Sequence, residues 1–394
     1  MQGSNRSAAV PRVVILGAGY GGLSVAKAIH RHAGHRMRLV LLDKAPEHVL
    51  RTELYQVDEM ALAGQNRKRW ALPIAEVLDG RIAQFVQGTV TGIDLSSRTV
   101  RLETGTVPFD YLVICLGSDP SYFGVAGAKE LAQEVYSLTG AMRLADRLVE
   151  AEREAAQTPG TPRPRVVVVG GGSTGTEVAA EVATADWKAI ADPAAPAPEV
   201  TLLTGPTPLL LGFPEPIIRH SRSLLKKAGV EIREDTPVVR VDPGRLTLKD
   251  GSVVGFDLCV WCAGVEAPSV VAQLPVEHGH GKRLKVTPQL ELPEHPGVFA
   301  VGDVIDYANP GSGVLVPGTA QAALAAAPIA GYNVVARHLG KRLKRFSYHE
   351  KGVIISLGIG KGVGRAGPLS LWGRPAYVLK SLVEAEYSLA VERG

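Results

Sequence analysis

Two glycine-rich turns, far apart in one chain, constrain this sequence more than any other feature. Gly17-Ala18-Gly19-Tyr20-Gly21-Gly22 follows the apolar run Val13-Val14-Ile15-Leu16, and Gly170-Gly171-Gly172-Ser173-Thr174-Gly175 follows Val166-Val167-Val168-Val169. Each turn joins an apolar strand pattern to a helical pattern rich in small residues. In that context the glycines let a backbone approach a pyrophosphate, and a helix N-terminus faces it. Two such turns on one polypeptide predict two dinucleotides held against each other, and hence electron transfer.

The intervening chain repeats one plan. Leu23 to His32 reads as the first helix, and Arg38 to Leu42 as a strand that ends in Asp43. Asp43 stands about 20 positions past the last glycine, where a βαβ unit presents an acid to a ribose. Gln84 to Asp94 and Thr99 to Leu102 read as antiparallel strands, and Phe109 to Gly117 as a buried strand closing on glycine. Leu138 to Ala155 is an amphipathic helix. A proline-rich linker, Thr158 to Pro164, marks an exposed connection before the second glycine turn. After that turn come a helix over Glu177 to Ala185, an Ala/Pro loop over Ala191 to Pro198 and a strand over Val200 to Leu203. A hairpin around Asp250-Gly251 and a strand over Phe256 to Cys262 complete the second copy. Val298 to Asp303 reads as a short buried strand. A helix is expected from near Pro317 to about Leu339, followed from Phe346 by a small separate subdomain. The fold class is therefore α/β, with two Rossmann-like dinucleotide-binding domains and a C-terminal appendage.

Composition excludes several functions. Net charge is +4 in 394 residues, so nothing calls for nucleic acid, and Lys341-Arg342-Leu343-Lys344-Arg345 reads as a solvated helix end. Three cysteines make no disulfide framework, Met1 to Ala9 lack the apolar core of a secretory signal, and no stretch approaches the ~20 apolar residues of a membrane span. The expectation is a cytoplasmic protein, soluble or peripheral on the cytoplasmic face of a membrane. Cys259 and Cys262 have redox spacing but lie along a strand, where that interval sends side chains to opposite faces. They read as small buried residues. No histidine cluster has metal-ligand spacing, and His278-Gly279-His280 reads as a solvated loop.

An ordered set of motifs carries a resemblance. It runs from Ile15 to Leu23, through Glu47-His48, Leu54-Tyr55-Gln56-Val57, Phe109 to Gly117 and Phe123 to Gly127. It continues with Gly170 to Glu177, Leu211 to Pro214, Trp261 to Val265, Val301-Gly302-Asp303 and Tyr348 to Gly352. Nearly the whole chain resembles the type II NADH dehydrogenases, single-subunit NADH:quinone oxidoreductases of the two-dinucleotide-binding flavoprotein superfamily. The resemblance implies FAD in a discontinuous domain, 10–120 with 285–345, and NADH or NADPH in 121–284. It leaves 346–394 as a C-terminal part that meets a membrane surface or a homodimer partner. It implies that Gly17, Gly19, Gly21, Gly22, Asp43, Lys44, Val90, Gly117, Asp303, Ala320 and Gln321 serve the flavin. Gly170, Gly172, Ser173, Thr174, Gly175, Ala263 and Gly264 serve the nicotinamide nucleotide. Glu177, read as standing in the first turn of its helix, lies beside the stacked rings and orients them.

Three departures from the family pattern matter. The strand after the second glycine turn ends in Thr204-Gly205 where an acid is usual, and no arginine is close in sequence, Arg219 being well downstream. Strict NADH specificity is thereby in doubt. Ala325 and Ala326 stand where quinone-reducing members carry a pair of glutamines. In the tail, Trp372, Ala376, Leu379, Val383 and Tyr387 form an apolar stripe, with Lys380, Glu384 and Glu386 on the remaining face. Electron delivery to a quinone is the leading expectation. The alternatives are a flavin reductase with a non-quinone acceptor and a nucleotide-sensing protein like the apoptosis-inducing-factor relatives.

Overall fold

One plan is built twice. The computed structural model describes residues 10–393 apart from 65, 67, 158 and 159, and only the backbone of 390–393. Met1 to Ala9 and the Thr158-Pro159 end of the linker lie outside the described residues. Five parallel strands form the first sheet, in the spatial order Val298–Ala300, Tyr111–Ile114, Arg12–Leu16, Arg38–Asp43 and Gln84–Gln87. Four parallel strands form the second, in the order Glu231–Arg233, Glu199–Leu203, Arg165–Val169 and Leu258–Trp261. In both, the strand that leads into a glycine turn is central. In both, a three-stranded antiparallel sheet is inserted before the strand that returns to its side. The central strands are unbroken aliphatic runs because helices or other layers cover both faces.

Gln84 to Asp94 is not one antiparallel strand. Gln84–Gln87 extends the parallel sheet beside Arg38–Asp43, and the chain turns at Gly88, whose N–H donates to the Asp43 carbonyl. Val90–Asp94 then opens the antiparallel sheet. The late helix starts at Ala320 rather than near Pro317, because Thr319 supplies the cap: its hydroxyl accepts the Ala322 N–H at 3.2 Å.

Packing places the joints where composition did not. Ala267, Val271 and Leu274 already belong to the core of the first sheet, and so do Phe346 and Tyr348. The Tyr307 hydroxyl donates to the Phe346 carbonyl at 2.8 Å, which fastens that return segment. Strands Gly352–Ser356, Gly362–Ala366 and Leu369–Gly373 make a small antiparallel sheet, followed by helix Arg374–Arg393. Three short strands enclose no core of their own, so Ile355, Leu357 and Val363 pack into the core of the second sheet. Among the described residues, no helix is long and apolar enough to cross a membrane.

A buried amide ties the first core together. Asn333, within helix Ala320–His338, donates to the carbonyls of Gln289 and Lys344 and accepts the Lys344 N–H, each at 2.8 Å. Asn333→Ala removes the buried partner of all three backbone groups. It should destabilise the fold by about 1–3 kcal/mol, read as a lowered urea midpoint with an unchanged slope.

Candidate functional site

The two glycine turns are the same object at the backbone level. Gly17 and Gly170 have φ of +95° and +122°, and the N–H of each donates to the carbonyl of Leu42 or Leu203 on the neighbouring strand. A methyl group on Gly22 would overlap the Gly17 carbonyl oxygen, and one on Gly175 would overlap that of Gly170. Only glycine lets the first turn of each helix fold back so closely on its own strand. Gly19 and Gly172 are the N-caps of helices Tyr20–Ala33 and Ser173–Thr184, extended in backbone, with open space where a side chain would be. Neither helix start has a side-chain cap. Their first N–H groups, including those of Gly21 at one and of Ser173 and Thr174 at the other, are left for an anionic ligand.

The first cleft is polar along one side. Asp43 accepts the N–H of Ala18 at 2.7 Å and that of Ala45 at 2.9 Å, which fixes its carboxylate against the glycine turn. Lys44 is exposed, and Val90 is half-buried at the start of the antiparallel sheet. Gly117 takes φ of +68°, beside Arg51, whose guanidinium donates to the Ser118 carbonyl. The Ser118 hydroxyl donates to Asp303 at 3.2 Å, and Asp303 lies under Gly318, just before the start of helix Ala320–His338. Ala320 is half-buried at that start. The Gln321 side-chain oxygen accepts the Tyr348 hydroxyl at 2.8 Å and the Lys351 N–H at 2.9 Å, so this residue holds the return segment in place.

His48 was quoted only as part of a motif, yet it sits at this cleft. It is 1% exposed, and its Nδ1–H donates to the Ala18 carbonyl at 2.8 Å. Burial lowers its pKa, so the ring is neutral and Nε2 is a bare acceptor without a protein partner. A buried orphan acceptor beside an open anion cradle fits a dinucleotide with sugar hydroxyls. The residues present therefore suit FAD.

In the second cleft Gly264 takes φ of +153° and lies against the Phe123 ring, and its carbonyl accepts the Ser121 N–H at 3.0 Å. Ala263 is half-buried beside it. Glu177 is not in the first turn of its helix. The helix begins at Ser173, so Glu177 stands in the second turn. It accepts the Ser356 N–H at 3.1 Å and forms an ion pair with Lys380 of the C-terminal helix. The two side chains are 9% and 11% exposed.

That ion pair is the centre of a polar chain. Lys380 lies 3.7 Å from Glu384 and 4.1 Å above the Tyr55 ring, and the Tyr55 hydroxyl donates to Glu384 at 3.2 Å. On the other side the Ser356 hydroxyl donates to Glu181 at 3.1 Å. A cavity of about 440 Å³ opens on this chain, lined also by Gln56, Glu53, Glu59, Arg69 and Tyr377. The expected stripe turns inward in part, with Ala376 buried and Leu379, Val383 and Tyr387 half-buried, but two charged residues turn inward with it. Lys380 and Glu384 face inward with Ala376, while Val378, Leu382 and Leu389 are exposed. Glu177 is the reason: a buried carboxylate needs a cation, and the helix turns its lysine inward to supply one.

The cysteines form no redox pair. All three are free and buried. Cys259 packs with Val167 and Val169 on one face of the second sheet, and Cys262 with Val166 and Val168 on the other. Burial pushes the Cys259 thiol up to about 12 and raises the other two further. Among the described residues, no group of His, Cys, Asp or Glu is placed to hold a metal ion.

Comparison with known proteins agrees with this geometry. Residues 11–327 match the pyridine nucleotide-disulphide oxidoreductase family. The chain is 30% identical to the type II NADH:quinone oxidoreductase Ndh of Mycobacterium tuberculosis, over 95% of this chain and 84% of that protein. The chain belongs to the type II NADH:quinone oxidoreductase family. It is also 26% identical to the demethylphylloquinone reductase NdbB of Synechocystis, over 97% of this chain and 94% of that protein. In fold it is similar to NDH2 of Plasmodium falciparum in complex with NADH, with a TM-score of 0.83 at 16% identity over 95% and 94% of the two chains. The sulfide:quinone oxidoreductase of Aquifex aeolicus is similar in fold, with a TM-score of 0.78 at 18% identity over 97% and 92%. Family membership makes this chain a flavoprotein oxidoreductase of the NADH dehydrogenase type.

The carboxyl groups of this family member's cavity make its stability pH-dependent. Burial raises Glu181 to about 8 and Glu384 to about 7, from an ordinary value of 4.5. The folded protein therefore keeps two protons that the unfolded chain has released above its lower pKa. Unfolding releases them, so stability falls as pH rises from about 5 to about 8. Urea midpoints at pH 5.5 and 8 should differ in that direction, and Glu181→Gln with Glu384→Gln should narrow the difference.

Proposed function

We propose that this chain is an FAD-dependent NAD(P)H:quinone oxidoreductase, with the flavin in the first cleft and the nicotinamide nucleotide in the second. The observation that carries the reading is the doubled cradle, two glycine turns with the same close contacts and uncapped helix starts in one chain. When bound, the flavin supplies two-electron chemistry between a reduced nicotinamide and an acceptor. Gly17, Gly19, Gly21 and Gly22 hold its pyrophosphate, Asp43 with Lys44 and Val90 takes the adenosine end, and Gly117 with Asp303 takes the ribityl end. His48 accepts a hydroxyl. Ala320 and Gln321 begin a helix whose N–H groups favour negative charge at the ring. Gly170, Gly172, Ser173, Thr174 and Gly175 hold the second pyrophosphate, and Ala263 with Gly264 lets the nucleotide lie close to the backbone.

The quinone enters the cavity between Tyr55 and the C-terminal helix. Ala325 and Ala326 offer no polar group, and Tyr55, Lys380 and Glu384 stand in for the missing glutamines. Leu50, Ile359 and Leu389 make the cavity's apolar lining, which suits a lipophilic acceptor. Exposed Val378, Leu382 and Leu389 suit contact with a membrane surface. Glu177 is placed to orient the reacting groups and to hold the Lys380 ammonium between the second unit and the cavity.

The test begins with colour. Purified protein should be yellow, bleach anaerobically with NADH, and recover its colour with a soluble quinone. Colourless protein that added FAD does not restore, or yellow protein that no nicotinamide bleaches, overturns the reading. Glu177→Gln should keep its flavin and lose at least about tenfold in turnover, since one charge of a buried pair is removed. Loss of flavin with a normal reductive step would contradict the place given to Glu177.

A further inference from the structure

Most carboxyl groups around the cavity have a cation. Glu177 and Glu384 share the Lys380 ammonium, and Glu59 pairs with Arg69. Glu181 lines the same cavity and is 5% exposed, yet among the described residues it forms no ion pair. The Ser356 hydroxyl donates to its Oε1 at 3.1 Å.

The groups that face Glu181 come from every element packed on it. Asp58 belongs to helix Val57–Ala63, and its Oδ1 is buried without a partner. Glu177 stands one turn back on the same helix as Glu181, Lys380 and Tyr377 belong to the C-terminal helix, and Tyr55 completes the set. Burial acts on Glu181 most strongly, and the charges of Asp58 and Glu177 add to it, against the Ser356 hydroxyl and the Lys380 charge. The carboxyl therefore titrates at about 8 and holds its proton at neutrality. Glu53 is the other cavity carboxyl without an ion pair among the described residues, but the charges of Arg69 and Lys380 pull it back toward the ionised form. Tyr55 and Tyr377 also line the cavity, and burial raises both phenols further above neutrality.

Reducing a quinone to a quinol takes two electrons and two protons. A hydride from the reduced nicotinamide carries both electrons and one proton, so one proton per turnover comes from elsewhere. An acceptor seated in the cavity displaces water from it. The donor is then a side chain of the lining that is still protonated at the working pH.

We propose that Glu181 is the catalytic acid of this cavity and hands the missing proton to a quinone oxygen. The inference rests on the reading of the cavity as the acceptor site. The Glu181 O–H bond breaks, an O–H bond forms on the acceptor, and the electron pair left on the carboxylate is met by the Ser356 hydroxyl. Ile359 and Leu389 line the cavity and are exposed, so it reaches solvent, and water returns the proton once the quinol has left.

The test compares two acceptors on flavin-loaded protein reduced with NADH: menadione, which needs protons, and ferricyanide, which takes an electron and no proton. Glu181→Gln keeps the size of the side chain and should slow reoxidation by menadione at least about tenfold more than reoxidation by ferricyanide. Equal slowing with both acceptors overturns the proposal, and so does a selective loss found in Glu53→Gln instead. In the wild type the menadione-to-ferricyanide rate ratio should fall as pH rises from about 7 to about 9, because the acid form of Glu181 is lost. A flat ratio overturns the proposal even where Glu181→Gln does not fold. A readout apart from turnover is the infrared band of protonated carboxyl groups. The wild type should lose part of that band between about pH 7 and about pH 9, and Glu181→Gln should lack that part. Identical bands in the two proteins overturn the assignment. Wild-type protein that NADH bleaches and menadione fails to recolour defeats the functional reading beneath, whereas equal slowing with both acceptors defeats this inference alone.

Discussion

One buried ammonium joins parts of this chain that lie far apart. Lys380 reaches from the C-terminal helix to Glu177 behind the second glycine turn, with Glu384 and the Tyr55 ring on its other sides. Buried ion pairs add little net stability, since desolvating two charges offsets most of their attraction. What such a pair does is penalise every arrangement in which one charge is left alone. The C-terminal helix cannot rotate Lys380 outward without stranding Glu177, and it cannot leave without opening the cavity that both residues border. A small sheet with no core of its own is thereby committed to the second unit.

Around that joint, the two glycine-turn clefts differ at their rims. Their glycine turns impose the same close backbone approach, and that approach selects for any dinucleotide. The clefts differ in the residue after the neighbouring strand. In one cleft it is a carboxylate already oriented by a backbone N–H. In the other it is a buried threonine with its hydroxyl occupied by its own loop. A duplicated fold thus keeps one glycine turn while changing the side chain beside it.

Much of this was legible in residue order. The glycine turns, their strands, the return strands at Tyr111–Ile114 and Leu258–Trp261 and the opposed faces of Cys259 and Cys262 follow from local patterns with fixed periods. Errors arose where a partner distant in sequence decides the outcome. Gly88 splits an apparent strand because the edge of a parallel sheet was free to take its first half. Phe346 reads as the start of a new unit but is held in the first core by Tyr307. Lys380 reads as a solvent-facing residue until Glu177 is placed opposite it. Arg222 reads as a surface residue of its helix until Glu234 is placed opposite it.

The amino-acid order alone determined that this chain makes two phosphate cradles on parallel sheets, because glycine's lack of a Cβ and the burial of aliphatic runs act over a few residues. Tertiary structure alone decided which charges meet. Neutralising a buried carboxylate depends on what lies within a few ångströms of it, and in this protein those neighbours, Lys380 for Glu177 and Arg222 for Glu234, come from other segments of the chain.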